Sequence, residues 1–284
     1  MTRLILNADD FGLTTGVNQS IVELHHAGAL TSATLMATSS HFSAAAAESL
    51  ANGRSLGVGC HVVLVDGTPS LPPHEISGLA PHSGRFRATL GAFFKDLLRG
   101  AIPEAEIELE ATAQIHKLQS AGVHVTHLDT HKHTHMFPAV LRPLLRAARH
   151  CGIHAIRNPF EPEWATAATA NAPFARKLQV SFLRRLHPQF QQQVQQAGLA
   201  TTNGAIGVLA TGTLDTATLK QILSHMPEGT WELVCHPGYY DQGLEAVTTR
   251  LKESRATEHA ALLEVVPAFR QKHPETELIH FGKL

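Results

Sequence analysis

The sequence alternates between short apolar, β-branched runs and longer stretches in which apolar residues recur at helical spacing. This alternation is typical of βαβ units, in which each helix returns the chain to a parallel strand. We predict eight strands, at residues 3–7, 30–36, 56–63, 123–128, 155–157, 205–210, 231–235 and 277–281. The pattern therefore favours an α/β fold built on a parallel sheet.

Six stretches between these strands are predicted helices, at residues 16–27, 43–51, 104–121, 139–150, 214–225 and 255–272. Two further segments interrupt the alternation. Residues 66–87 are rich in proline and glycine, which indicates a loop or lid, and residues 162–196 suit a helical insertion. Because predicted strands resume on both sides of each interruption, we expect a single domain over 1–284. A (β/α) barrel of seven or eight strands is the favoured architecture, with a doubly wound open sheet as the main alternative.

Composition excludes several classes of protein. The chain has 23 Lys and Arg against 24 Asp and Glu, and no basic stripe, which argues against nucleic-acid binding. Three cysteines without CxxC spacing argue against a disulfide framework and favour a reducing compartment, so we expect a cytoplasmic location. The N-terminus has no signal-peptide pattern, and no apolar run is long enough for a membrane span. A homodimer is compatible with this sequence.

Polar residues follow the predicted strands where parallel α/β folds place their chemistry, at the carboxyl ends. The first strand leads into Asp9 and Asp10, the third ends at His61, and a later one ends at His236. Adjacent residues of an extended chain point to opposite faces. One aspartate could therefore hold a metal while the other approaches a water molecule from beside it.

A histidine-rich run continues the fourth predicted strand. Alternate residues share one face of an extended chain, and on this face lie His127, Asp129, His131, His133 and His135. Neutral imidazoles with a carboxylate are typical ligands of divalent transition metals, so the run predicts a metal site. By the same alternation Cys60 and Cys235 should point away from the histidine that follows each of them, into apolar packing, which argues against a cysteine–zinc site. Arg157 ends a short predicted strand and could orient a carboxylate.

Several blocks of this sequence closely resemble the YdjC-like carbohydrate deacetylases, which include chitooligosaccharide deacetylase. The blocks run in order from residue 4 to 238: LNADDFGL at 6–13, Asn18, Thr31 with Ser32, His61, THLDTHKHTH at 126–135, and CHP at 235–237. The segments 253–258 and 280–284 are similar to a subgroup associated with hopanoid biosynthesis.

The resemblance implies a distorted (β/α) barrel that removes N-acetyl groups from amino sugars, such as N-acetylglucosamine-containing oligosaccharides or glycolipids. It also implies one divalent metal ion held by Asp10, His61 and His131, with Asp9 matching the catalytic base. Broader polysaccharide deacetylases carry both ligand histidines on one H-x-x-x-H segment, whereas here they come from distant strands. Lys132 replaces a more common histidine, and alternation predicts that it lies off the metal face. Zinc and magnesium both remain open as the metal.

The remaining roles follow from amide chemistry, which needs a proton for the departing amine. We assign the donation of this proton to His236, because His236 lies at a different strand end from Asp9. Other residues are candidates to replace His236 or to orient a ligand imidazole: Asp129, His133 and His135. Tyr239 and Tyr240 are candidates for stacking on a sugar ring. The loop 66–87 offers apolar contacts for the rest of the substrate: Leu71, Ile76, Leu79 and Phe86.

Two alternatives remain. A barrel metallohydrolase acting on phosphate esters uses similar residues, although a two-metal site would need more carboxylates. A non-catalytic metal-binding protein could also use the histidine run. The adjacent pair Asp9 and Asp10 argues against this second alternative, because metal storage needs no free base beside the ligand.

Overall fold

A computed structural model describes residues 1–81, 84–169 and 172–284. The strands are β1 (Thr2–Phe11), β2 (Ser32–Leu35), β3 (Gly57–Val62), β4 (Val125–Thr130), β5 (Gly204–Ile206), β6 (Gly229–Cys235) and β7 (Glu277–Leu278). The α-helices are α1 (Thr15–His26), α2 (Phe42–Ala51), α3 (Leu90–Leu98), α4 (Glu104–Ser120), α5 (Pro138–His150), α6 (Glu163–Ala168), α7 (Phe174–Leu183), α8 (His187–Ala197), α9 (Thr216–Ser224), α10 (Gln242–Ala246) and α11 (Ser254–Lys272). All six helices predicted from the sequence are present, and α3 and α10 were not predicted.

The strands pair in parallel in the order β4-β3-β2-β1-β6-β5, with β7 added to the first residues of β1. The short segment 155–160 connects the two ends of this order. Ile156 bridges Leu128 of β4, Ala155 bridges Ala200, and Ala205 of β5 donates its backbone N–H to the carbonyl of Phe160. The predicted distorted (β/α) barrel is therefore confirmed, and the open doubly wound sheet is not the architecture. The predicted strand 155–157 is present only as these isolated bridges.

Strand alternation divides the side chains of the sheet into two environments. One set packs outward against the helices in the main apolar core, and it includes Leu6, Cys60 and Cys235. Both cysteines are fully buried there, as predicted. The other set points into the barrel, where Asn7, Asp129 and Glu232 are buried although they are polar. The barrel therefore has an apolar outer layer and a largely polar interior.

The C-terminal segment fills the amino end of the barrel interior. Ile279 and Phe281 form a small apolar cluster with Ile5 and Ala155. The Phe281 ring stacks on the His127 imidazole with ring centroids 3.8 Å apart. Because this end is filled by side chains, access to the polar interior is from the carboxyl ends of the strands.

The two interruptions of the βα pattern have different structures. Residues 66–87 form a loop, as predicted, apart from His82 and Ser83, which lie outside the described residues. The predicted role of its apolar residues as substrate contacts is wrong, because Ile76, Leu79 and Phe86 are buried in the main core and Leu71 packs against it. The predicted helical insertion is confirmed by α6, α7 and α8. None of the helices in the described ranges is both long and apolar enough to cross a membrane.

Candidate active site

The end of β1 brings two adjacent carboxylates to the interior of the barrel. Simple alternation would point one of them outward, but the register between β1 and β2 shifts between Ala8 and Phe11. Asp10 adopts a left-handed backbone conformation with φ of 66°, which redirects the chain at this irregularity. As a result both Asp9 and Asp10 are buried and both lie near His61.

Asp10, His61 and His131 form a group with the geometry of a metal site. Asp10 Oδ1 lies 3.7 Å from His61 Nε2 and 3.6 Å from His131 Nδ1. All three potential ligand atoms lie within 4.8 Å of one another. Two imidazoles and one carboxylate are a ligand set that zinc accepts, with further positions left for water or substrate. The residues therefore fit a single divalent cation.

A second layer of polar contacts orients His61. Its Nδ1 donates to Asp129, with distances of 2.8 and 2.9 Å to the two carboxylate oxygens. This hydrogen bond leaves Nε2 as the atom that faces Asp10, the arrangement found around many metal-bound histidines. Burial alone would lower the pKa of His61, but Asp129, Asp9 and Asp10 outweigh it and raise the pKa to about 9. The same carboxylates that stabilise this proton would also attract a metal cation.

Arg157 joins the acidic residues from inside the barrel. It is fully buried and donates to Asp9 at 2.7 and 2.9 Å, to Asp129, and to Glu232 at 2.8 Å. Asp9, His61 and Asp129 are themselves close enough to hold an ion. However, a guanidinium already bridges the two carboxylates of that group. The group containing Asp10 is therefore the better candidate for the metal.

Asp9 contacts both the guanidinium and the surroundings of His236. Asn7 and Thr34 donate to its Oδ1 at 3.0 and 3.2 Å, and its Oδ2 lies 3.7 Å from His236 Nε2. Burial would raise the pKa of Asp9, but Arg157 and His61 outweigh burial and hold it below its usual range. Burial lowers the pKa of His236 to about 4, with Asp9 and Asp10 opposing the shift. At neutral pH a carboxylate and a neutral imidazole therefore face each other.

The chain is similar to known proteins along almost its whole length. The family model described as YdjC-like protein matches residues 3–272 of the chain. The chain belongs to the YdjC-like protein family. A protein of Brevibacillus brevis named carbohydrate deacetylase is 31% identical over 287 residues, which cover 99% of each chain. A protein of Mus musculus with the same name is 30% identical over 250 residues, which cover 84% of this chain and 78% of the relative.

Solved structures share the fold of this YdjC-like protein. The crystal structure of a protein from Enterococcus faecalis V583, named as a putative cellobiose-phosphate cleavage protein, superposes with a TM-score of 0.76 and 23% identity over 99% of this chain and 98% of that one. A lactam utilization protein from Thermus thermophilus superposes with a TM-score of 0.53 and 12% identity, covering 98% and 99%. At these identities the likeness concerns the fold alone.

The predicted common face of the histidine run is wrong beyond Thr130. The strand ends there, and residues 131–136 form a tight 3₁₀ turn in which Lys132 and His133 have φ of 58° and 52°. His131 reaches the candidate metal group, whereas His127 lies below it against Phe281. Lys132 lies off the metal group, as expected, and its ammonium pairs with Asp66.

The other predicted residues of this face lie near the site but do not join the metal group. His135 Nδ1 lies 2.6 Å from the Thr130 hydroxyl and its ring is buried near Phe190. Burial lowers the pKa of His133 to about 3, with Arg157 adding to the shift, so this imidazole is neutral at pH 7. Nδ1 of His133 is buried without a hydrogen-bond partner among the residues described.

The side chain of Tyr239, a predicted substrate contact, is held by two outer helices. Its hydroxyl bonds to Glu23 on α1 and lies 3.1 Å from His259 Nε2 on α11. The Tyr239 hydroxyl therefore links α1 and α11, and stacking of Tyr239 or Tyr240 on a sugar ring stays a prediction. Tyr240 is exposed.

Two residues of α11 that contact the site were not predicted from the sequence. The buried Arg255 donates to Asp10 Oδ2 at 2.6 Å, and Glu258 accepts the backbone N–H of His236 at 2.6 Å. Burial would raise the pKa of Asp10, but Arg255 and His131 hold it well below its usual range. Their spacing of three residues, which places them on one face of the helix, was the available signal. Neither residue follows a strand, so the rule that places functional residues at strand ends does not predict them.

Proposed function

We propose that this protein is a metal-dependent hydrolase that removes N-acetyl groups from amino sugars, with one zinc or magnesium ion held by Asp10, His61 and His131. The observation that carries the proposal is the convergence of these three ligand atoms beside a separate, buried carboxylate, Asp9. The names of the relatives from Brevibacillus brevis and Mus musculus support deacetylation. When bound, a divalent cation would polarise the acetyl carbonyl and lower the pKa of a water molecule.

The residues around this group supply the proton transfers. Asp9 takes a proton from the attacking water, and Arg157 holds its carboxylate in one orientation through two hydrogen bonds. His236 gives a proton to the departing amine, and its Nε2 lies 3.7 Å from Asp9 Oδ2. Because His236 is neutral at rest, it must receive this proton during the reaction, and the protonated Asp9 is the nearest source.

Measurement of acetate release from N-acetylated chitooligosaccharides, with and without a chelator, tests the proposal. We expect turnover that a chelator abolishes and that added zinc or magnesium restores. Asp10→Ala should lose both bound metal in elemental analysis and turnover. His26→Ala, which removes an exposed histidine of α1, is the matched control and should keep both. Full acetate release by metal-free protein would contradict the proposal.

The finer predictions about substrate and setting remain proposals. A hopanoid-linked amino sugar as substrate, a homodimer and a cytoplasmic location depend on sequence patterns alone. Hydrolysis of phosphate esters by two metals is less favoured, because Arg157 occupies the second acidic group. A parallel assay with phosphate esters separates the alternatives: phosphate release indicates an esterase, and one bound metal without turnover in either assay indicates a storage protein.

A further inference from the structure

Helix α7 carries an exposed apolar stripe. None of its residues is buried, and Phe174, Leu178 and Phe182 are 81%, 61% and 64% exposed. Their spacing of four residues places them on one side of the helix. Single exposed apolar residues are common, but a contiguous stripe on a water-soluble domain marks an interaction surface.

The other side of α7 fixes the helix to the rim of the barrel. Arg176 donates to the carbonyls of Val208 and Thr211, at 3.0 and 3.1 Å, in the loop that follows β5. Arg184 donates to the carbonyl of Glu161 at 3.0 Å, just beyond the bridging segment 155–160. Both anchor points lie at the carboxyl ends of strands. The stripe is therefore beside the opening of the candidate active site.

The segment 164–214, which contains the stripe, carries only basic charges, and one of them, Arg184, is paired with the Glu163 carboxylate at 2.8 Å. Between Glu163 and Asp215 the chain has no Asp or Glu but contains two basic pairs, at 176–177 and 184–185. Arg185 is exposed and its guanidinium lies 5.4 Å from the centre of the Phe182 ring, so it extends the apolar stripe with a cation. This local excess stands against a net charge of −1 for the whole chain. An apolar helix face flanked by basic residues is characteristic of helices that lie on anionic membranes.

We propose that α7 docks this protein on the surface of an anionic lipid bilayer, with Phe174, Leu178 and Phe182 inserted among the lipids and Arg185 at the headgroups. A second copy of the chain is the less suitable partner. A two-fold contact between identical α7 helices would bring their basic residues together, which like-charge repulsion disfavours. Docking in this orientation would place the opening of the barrel next to the lipid surface.

Sedimentation of the full chain with vesicles tests the proposal. We expect binding to vesicles of phosphatidylcholine with phosphatidylglycerol, weaker binding at high salt, and little binding to phosphatidylcholine alone. The combined change Phe174→Ser, Leu178→Ser and Phe182→Ser should lower the bound fraction at least about tenfold. Arg185→Glu should give a smaller decrease. The thermal unfolding midpoint should stay unchanged in each variant, because the replaced side chains are exposed.

Leu98→Ser is the matched control, since Leu98 is 86% exposed on α3. This variant should bind vesicles as the unmodified protein does. Absence of binding to anionic vesicles, or equal binding by the triple variant, would overturn the proposal. It would also be overturned if light scattering found a dimer that the triple variant converts to a monomer while neither form binds vesicles, because the stripe would then cover a second copy.

Discussion

The two ends of the barrel interior use the same strands but opposite chemistry. At the amino end Ile5 and Ala155 point inward and pack against Phe281. Two residues further along the same segments, Asn7 and Arg157 also point inward, but they are polar and donate hydrogen bonds to Asp9. The comparison shows that depth along the strand, and not the strand itself, separates residues that stabilise the barrel from residues that carry chemistry.

The largest effect is expected at the polar end, from Asp9→Asn. If Asp9 is the general base, activity should fall by about 10²- to 10⁴-fold, since the amide cannot accept the proton. Metal content should be unchanged, because Asp9 is not among the three proposed ligands. Acetate release and elemental analysis measure the two quantities, with the exposed Glu48→Gln as control. A variant with full metal and full activity would remove Asp9 from the mechanism.

Arg157→Met tests whether the polar end also stabilises the fold. The change leaves Asp9, Asp129 and Glu232 buried without the guanidinium that they share, so we expect a loss of about 3–5 kcal/mol in the free energy of unfolding at pH 7. Part of this loss should be recovered at lower pH, where the carboxylates take up protons. Urea unfolding measures both effects. Arg185→Met, at an exposed arginine, should change stability by less than about 0.5 kcal/mol. If Arg157→Met leaves the free energy of unfolding unchanged, water or a rearrangement of neighbouring side chains takes the place of the guanidinium.

Phe281→Ala makes the corresponding change at the apolar end. Phe281 is 1% exposed, and removal of its ring should cost about 3 kcal/mol through the cavity that it leaves. Because the ring stacks on His127 and not on the metal group, the folded fraction should keep its activity. Urea unfolding and acetate release at low temperature separate the two effects, and Phe182→Ala is the exposed control. A large loss of activity in fully folded protein would show that the two ends are coupled.

The sequence predicts the barrel well because its signals are local and repeated. Strand and helix periodicities are present in each βα unit, and Asp9, Asp10, His61 and His236 lie at or directly after the carboxyl ends of strands. The resemblance to a known family named Asp10, His61 and His131 as one group, and these residues come together in space. Their role as metal ligands stays a prediction.

What the sequence does not predict depends on irregular backbone and on long-range contacts. The left-handed conformations of Lys132 and His133 end the alternation of the histidine run, and nothing local indicates them. In the sequence, nothing distinguishes Gly57 and Gly59 from the other residues of the predicted strand. In the structure a Cβ at these positions would lie 2.5 Å from the side chain of His280 and 2.4 Å from that of His127, so both glycines make room for the interior filling. The partner that explains each glycine is far away in the chain.

Asp129→Asn is expected to weaken metal binding by about 10- to 100-fold. Asp129 is not a proposed ligand, but its hydrogen bond from His61 Nδ1 fixes the ring so that Nε2 faces Asp10. Competition with a chelator of known affinity measures the dissociation constant. Glu232→Gln, which contacts Arg157 but not His61, should leave this constant nearly unchanged. Equal effects of both variants would show that the charge of the interior matters, and not the orientation of the histidine.

The smallest effect concerns the pH dependence of stability through Glu232. Burial raises its pKa to about 7, with Asp9 and Asp129 adding to the shift and Arg157 opposing it, whereas the unfolded chain titrates near 4.5. Protonated Glu232 therefore stabilises the fold fully below pH 4.5, and this contribution is lost as the pH rises through 7.

The glutamine of Glu232→Gln does not titrate. The free energy of unfolding of the unmodified protein, taken relative to this variant, should therefore fall by about 1–2 kcal/mol between roughly pH 5 and 8. Urea unfolding at several pH values measures this difference, and groups common to both proteins cancel in it. The direction follows because three buried carboxyl groups share one guanidinium, and this crowding of negative charge favours retention of a proton by one of them. A relative stability that rises with pH would instead mean that Glu232 is the ionised partner of Arg157, and that the proton of the cluster is held elsewhere.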